Sequence, residues 1–229
     1  MQIISRVDFS MQSRTIIPAG LIAAVLVFNL SVSLAQIARP GDELKGELLY
    51  EENFSTSKGS LWSGSSDDNW TYHFDNGRYN MIVYPMNSWK SYAIGNNYTN
   101  FIIDVEARQE GGTSDNVYGV VIRMVDWNNY YNFLVSGDGY YEMAKMENGR
   151  WSPVSWKKSD AINPGNATNL IRIVGNGNAL SFYVNDALLE EYTDSSFSSG
   201  YIGLTAGTNY AIGPARVSFD NVSIWQIRN

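Results

Sequence analysis

From residue 48 onward the chain is written in short runs of alternating apolar and polar residues. The runs fall at 48–53, 70–74, 78–84, 89–94, 101–109, 117–125, 130–135, 140–146, 151–157, 170–175, 179–184, 187–192, 201–206 and 215–225. A period of two places successive side chains on opposite faces of an extended strand. Between 101 and 108, Phe101, Ile103, Val105 and Ala107 share one face, and Asp104, Glu106 and Arg108 share the other. Likewise Leu180, Phe182 and Val184 point one way. Strands with one apolar and one polar face suit two antiparallel sheets packed face to face. The spacing of 8 to 12 residues predicts an all-β sandwich or barrel. No segment has convincing helical periodicity, no repeat of fixed period occurs, and a single domain is expected over these runs.

The breaks between runs carry turn chemistry. Asn76-Gly77, Asp138-Gly139 and Asn148-Gly149 are strong tight-turn pairs, because both central positions tolerate positive φ. Asn176-Gly177 and Asn185-Asp186 are weaker versions. The stretch 118–156 stands out, since hairpin after hairpin is loaded with tyrosine and tryptophan.

The N-terminus follows another pattern. Arg6 and Arg14 precede an apolar run at 16–30, and Ser33-Leu34-Ala35 leads into Gln36. This is the plan of a secretory leader over 1–35, with Met11 as an alternative start. The competing reading is an uncleaved N-terminal anchor. Both put the rest of the chain outside the cytoplasm. Residues 36–47 read as a polar linker and 48–229 as the domain. The chain contains no cysteine, which excludes disulfides, thiolate metal sites and a cysteine nucleophile. Loss of 1–35 removes Arg6, Arg14 and Asp8 and leaves 14 basic and 22 acidic residues, a net −8. Such a surface does not favour nucleic acid or anionic lipid, which need clustered Lys and Arg. A membrane enters only through the N-terminal segment. Asn-x-Ser/Thr triplets at Asn53, Asn69, Asn97, Asn166 and Asn221 matter only in a glycosylating host.

From about residue 49 to 225 the chain resembles the concanavalin A-like lectin/glucanase superfamily. Within it, the chain is most similar to extracytoplasmic, laminin G-like domains related to the 3-keto-disaccharide hydrolase domain. The pieces that carry this are Phe54-Ser55 with Leu61-Trp62, Tyr118-Gly-Val-Val-Ile-Arg123, Asn129-Tyr-Tyr131 and Ser136-Gly-Asp-Gly-Tyr140. Trp156, Asn169-Leu-Ile-Arg172, Phe182-Tyr-Val-Asn185, Gly200-Tyr-Ile-Gly203 and Phe219-Asp-Asn-Val222 complete the set. The resemblance implies a jelly-roll sandwich and leaves function open, because such domains include lectins, glycosidases and adhesion modules. Asn185-Asp186 departs from the usual Asn-Gly, and the turn is expected to survive it.

Candidate chemistry narrows by exclusion. His73 is the only histidine and has no nucleophile motif around it, which disfavours a Ser-His-Asp triad. The Gly175-Asn-Gly-Asn-Ala-Leu180 stretch lacks the third glycine of a dinucleotide loop and reads as a turn. Asp104 and Glu106 lie two apart on one strand face, with Cβ atoms roughly 7 Å apart, and with Glu142 they are the candidate catalytic carboxylates. Laminarinase-like members carry Glu-x-Asp-x-x-Glu, whereas Asp104-Val-Glu-Ala-Arg-Gln-Glu110 changes order and spacing, so no catalytic role transfers. The alternative is a solvated face balanced by Arg108.

Arg123 interrupts an apolar central strand and therefore demands either a wet groove or a partner. Two readings stand: a bidentate donor to a sugar or carboxylate, or a structural pair with Glu106 or Glu142. Trp127, Tyr130, Tyr131, Tyr140, Tyr141, Trp151 and Trp156 crowd one region. Sugars pack their C–H faces on rings and need amides and charges for their hydroxyls. Arg123, Tyr131, Tyr141, Lys145 and Trp156, with Asn132 nearby, form the expected saccharide-binding set. No cofactor is expected. Structural calcium is the one metal considered, from the oxygens of Ser65, Ser66, Asp67, Asp68 and Asn69 or from Asp138 or Asp220 with Asn221. The leading expectation is an extracytoplasmic module binding a saccharide or cell-surface polymer. A glycoside-cleaving enzyme and a non-catalytic structural or adhesion module are the alternatives.

Overall fold

A computed structural model describes residues 38–84, 88–208 and 213–228. The expected leader, 1–35, lies outside the described residues. A 3₁₀ turn at Asp42–Leu44 opens the body. The strands are β1 (Lys45–Glu52), β2 (Ser65–Ser66), β3 (Trp70–Asp75), β4 (Arg78–Val83), β5 (Ser88–Tyr98), β6 (Phe101–Gly111), β7 (Val117–Asp126) and β8 (Asn129–Ser136). They continue with β9 (Tyr140–Glu147), β10 (Arg150–Pro153), β11 (Lys157–Lys158), β12 (Asn169–Asn176), β13 (Ala179–Val184), β14 (Ala187–Thr193), β15 (Gly200–Thr208) and β16 (Ala215–Ile227).

Every expected run is a strand. The run at 151–157 is split into β10 and β11, and the two-residue β2 had no signature. The strands form a nine-stranded sheet, ordered β14-β13-β12-β6-β16-β4-β3-β2 with β1 beside β16. A seven-stranded sheet is ordered β10-β9-β8-β7-β15-β5, with β11 also beside β9. All pairings are antiparallel. The chain is a jelly-roll β-sandwich.

The core lies between the sheets and follows the predicted alternation. β6 contributes Phe101, Ile103, Val105 and Ala107, and β13 contributes Leu180, Phe182 and Val184. The facing sheet contributes Tyr118, Val120 and Ile122 from β7 and Tyr131, Phe133 and Val135 from β8. Phe133 stacks on Phe182 across the interface at 4.9 Å between ring centroids. Truncating such a ring to alanine costs about 3–5 kcal/mol. Turn chemistry holds in part: at Asp138-Gly139 and Asn176-Gly177 only the glycine has positive φ. Asn76-Gly77 and Asn148-Gly149 have positive φ at both positions, and so does Asn185-Asp186, at 50° and 68°. Aspartate thus occupies the left-handed position where glycine is usual, and the tight turn is kept.

One boundary is corrected. The compact body begins at Arg39, so most of the expected linker 36–47 is structured. Arg172, buried on the outer face of the nine-stranded sheet, donates to the Pro40 carbonyl at 2.6 Å. It also meets both oxygens of Asp104, at 2.6 and 2.7 Å, and Asp42 at 2.9 Å. Lys45 joins the same carboxylates and sits 3.5 Å above the Trp225 ring. The linker composition was polar because these residues serve an ionic clasp.

Candidate functional site

The outer face of the seven-stranded sheet carries a groove of about 730 Å³. On its floor, Thr205 of β15 accepts a hydrogen bond from the Ser91 hydroxyl of β5 at 2.8 Å and donates to the Lys90 carbonyl. Asn132 of β8 completes the floor. One flank carries Trp89, Lys90 and Tyr92 from β5, with Trp70 and Tyr72 of β3 beyond that edge. The other carries Trp127, Tyr130, Met146 and Trp151. From β5 to β10 the sheet spans five strand spacings, roughly 24 Å.

The aromatic flanks are held in place. Trp70 and Tyr72 lie 4.3 Å apart between centroids, and Tyr72 meets Tyr92 edge-on. At the other flank Asp126 accepts hydrogen bonds from the Asn128 amide and the Asn129 side chain. The Asn129 side chain in turn accepts from the Asn148 amide, and the Asn128 carbonyl from the Gly149 amide. The β7–β8 and β9–β10 tips, which carry Trp127 and Trp151, are therefore tied together. Both rings remain open to solvent, Trp127 being 63% exposed.

The polar groups of the floor are incomplete. Asn132 is 3% exposed, and its Oδ1 has no hydrogen-bond partner. Glu142 alternates with the core residues Tyr141 and Met143, so it belongs to the groove side of β9. It pairs with Leu134, while Asn132 pairs with Ala144, which makes Glu142 and Asn132 diagonal neighbours. Glu142 is 5% exposed, and burial pushes its carboxyl up to about 7 with no opposing charge to hold it down. A buried polar group without a partner is costly and is found mainly where something else supplies one.

The expected ligand residues lie elsewhere. Arg123 is fully buried and donates to the carbonyls of Phe197 at 3.2 Å, Thr99 at 3.3 Å and Gly177 at 2.6 Å. Neither Glu106 nor Glu142 is its partner. The reason is a break in period two. Val121 is on the groove side, so regular alternation would put Arg123 there as well. Instead Arg123 has φ 48°, and the pairing of β7 with β8 shifts between Ile122 and Asp126. The bulge turns the guanidinium inward, where it braces three loops at one end of the core. A Cβ on Gly200 would lie 2.4 Å from the Arg123 carbonyl carbon, so the bulge requires glycine there.

Tyr131 and Tyr141 also face the core. Tyr131 donates to Asp194 at 2.6 Å and Tyr141 to the Leu189 carbonyl at 2.7 Å. Lys145 bridges the sheets to Asp194 at 3.0 Å. Burial of Asp194 opposes its charge, but hydrogen bonds from Tyr131, Ser196 and Lys145 hold its carboxyl well below the usual range. Trp156 is half-buried between β10 and β11 and does not line the groove. The groove instead uses the alternate residues Tyr130, Asn132 and Met146, with Trp127 and Trp151. The signal was local: in Tyr131-Asn-Phe-Leu-Val135 the polar Asn132 interrupts apolar residues that face the core.

The three candidate carboxylates do not converge. Asp104 is clasped by Arg172 and Lys45 on the outer face of the nine-stranded sheet. Glu106 shares that face and pairs with Asp220 across the strands. Glu142 is on the other sheet. Nor are the calcium candidates gathered. Asp67 caps the amides of Asn69 and Trp70, and Asp220 pairs with Arg78. Asp138 accepts from the Ser136 hydroxyl. No group of three or more acidic, histidine or cysteine side chains suited to a metal occurs among the described residues. No helix among them is long and apolar enough to cross a membrane.

Solved structures share this architecture. A carbohydrate-binding module, CBM66, from Bacillus subtilis matches with a TM-score of 0.50 at 18% identity, covering 72% of this chain and 91% of that one. A Bacillus licheniformis beta-glucanase matches at 0.59 and 12% identity, covering 79% and 99%. The catalytic domain of an endo-1,3-beta-glucanase (laminarinase) from Thermotoga petrophila matches at 0.57 and 10%, covering 81% and 100%. No protein-family model and no curated protein matches the sequence. At these identities the likeness concerns the fold alone, a jelly-roll β-sandwich of two antiparallel sheets. The narrower resemblance to 3-keto-disaccharide hydrolase domains rests on the sequence motifs alone.

Proposed function

We propose that this chain is an extracytoplasmic carbohydrate-binding module and that the aromatic groove receives the saccharide. The observation that carries this is the combination at one place of four tryptophans, Trp70, Trp89, Trp127 and Trp151, with an unpartnered amide oxygen on the floor. Rings take the C–H faces of sugars, and a few placed polar groups take the hydroxyls. The groove's extent across the sheet suits an oligosaccharide laid along it rather than a single sugar. The leader-like N-terminus supports the extracytoplasmic assignment.

A glycan array followed by calorimetry tests the reading. At least one oligosaccharide should bind, and Trp89→Ala and Trp151→Ala should each weaken it tenfold or more. If nothing on the array binds, or if both folded variants bind as the parent does, the module reading fails. A second reading, glycoside cleavage, has one observation in its favour: Glu142 is tuned to about 7, where a general acid works best. Glu142 lies beside Asn132 rather than among the residues lining the groove, and those residues supply no carboxylate for the usual pair. Reducing-sugar release from a polysaccharide panel, lost in Glu142→Gln, would favour cleavage.

A further inference from the structure

We propose that the groove selects saccharides bearing a protonated amine and that the amine is received at the Asn132–Glu142 part of the floor. This rests on the groove being a saccharide site and narrows its ligand.

The argument starts from how this chain treats its carboxylates. Two are buried among the described residues, Asp104 and Glu142, each 5% exposed. Asp104 has two cations, Arg172 and Lys45. Several partly buried acids are paired as well, Asp194 with Lys145, Asp220 with Arg78 and Glu190 with Lys157, whereas Glu52, Glu106 and Asp115 have no ion pair among the described residues. Glu142 has no cation among the described residues. Its diagonal neighbour Asn132 adds a second acceptor without a donor. A buried amide oxygen without a donor, diagonal to a carboxylate without a counter-ion, calls for a donor from outside. A positively charged one satisfies both, because it supplies N–H groups and a counter-charge. An ammonium ion beside Glu142 also draws the carboxyl to its charged form.

The walls agree with the floor. Indole and phenol faces attract cations through their ring quadrupoles, and desolvation strengthens this. Among the described residues the only cationic one lining the groove is Lys90, on β5, across the sheet from Asn132 and Glu142. No described arginine lines it, so a uronate or sulfated chain would find one counter-ion there and would face Glu142. The sequence carries a net charge of −7, which favours approach of polycations over polyanions.

The experiment compares three hexasaccharides with one β-1,4 backbone: chitosan hexaose (amine), cellohexaose (hydroxyl) and chitin hexaose (acetamide). Each is titrated calorimetrically into the full chain at pH 7. Chitosan hexaose is expected to bind at least tenfold more tightly than either of the others. In Glu142→Gln the preference over cellohexaose should collapse to within twofold. The inference is overturned if cellohexaose or chitin hexaose binds as tightly as chitosan hexaose. It is also overturned if Glu142→Gln keeps the preference, or if none of the three binds. Those results leave the module reading to the glycan array, which samples other linkages and sugars, so the two ideas fail separately.

Discussion

The outer faces of the two sheets use the same kinds of residue to opposite ends. On the nine-stranded sheet, Arg172, Asp104, Asp42 and Lys45 satisfy one another, and Lys45 covers Trp225. Farther along that face Arg78 reaches Asp220 and Ser218, and Arg108 reaches Glu110. On the seven-stranded sheet, Glu142 lacks a cation, the Asn132 oxygen lacks a donor, and Trp127 stands open to solvent. Charged and aromatic residues therefore do not mark a site by themselves. What distinguishes the groove is an open aromatic surface beside one unpartnered amide oxygen and a carboxylate without a cation.

The largest test breaks the satisfied face. Arg172→Met should destabilise the chain by about 3–5 kcal/mol, because Asp104 stays buried after its principal partner is gone. Chemical denaturation reads this, and saccharide affinity should not change in variants still folded. A destabilisation below about 1 kcal/mol would mean that the clasp is dispensable.

Next comes the unsatisfied face. Burial raises the folded-state pKa of Glu142 from an ordinary value near 4.5 to about 7. The folded protein thus holds the proton over a range in which the unfolded chain has released it. The contribution of Glu142 to stability is greatest below about 4.5, falls as pH rises through that window, and carries the full cost above about 7. Glu142→Gln removes the titration. It should stabilise the chain by roughly 3 kcal/mol at pH 8, with the gain vanishing near pH 4. Denaturation midpoints of both proteins from pH 4 to 8 check the sign. A carboxylate kept at that cost fits a binding role better than a structural one.

A third test separates neighbours in sequence, and it marks how far sequence alone could go. Strands and turns were legible because period two and Asn-Gly pairs are local signals. The crowding of rings between 118 and 156 was legible too. Which ring faces the groove was not, since adjacent residues point to opposite faces and a parity error exchanges a site for a core. Tyr131, Tyr141 and Lys145 fell to that error, and Arg123 to a bulge that apolar flanks conceal. Trp70, Trp89 and Tyr92 arrive through topology, because β5 is joined to the sheet by β15, far along the chain. Tyr131→Phe removes a hydroxyl bound to ionised Asp194 and should cost about 1.5–3 kcal/mol of stability with no loss of binding. Tyr130→Ala should weaken saccharide binding severalfold. Paired melting and titration experiments decide, and the reverse pattern would put the wrong face in the groove.

The smallest effect compares two tryptophans, one on each outer face. Trp225 already carries a cation, the Lys45 ammonium 3.5 Å above its ring, and packs against Ile102, Val174 and Ile227. Trp127 sits on a hairpin tip that its neighbours hold rigid, with most of its ring bare. Trp225→Ala should therefore lower stability and leave saccharide affinity unchanged. Trp127→Ala should leave stability within about 0.5 kcal/mol, as exposed substitutions do, and weaken binding about tenfold, or about 1.4 kcal/mol. If Trp127→Ala instead melts earlier and binds normally, its ring is a structural cap, and the contrast between a partnered and an unpartnered face loses its clearest member. If it behaves as expected, the Lys45–Trp225 pair shows within the same molecule what an amine laid on a groove ring would look like.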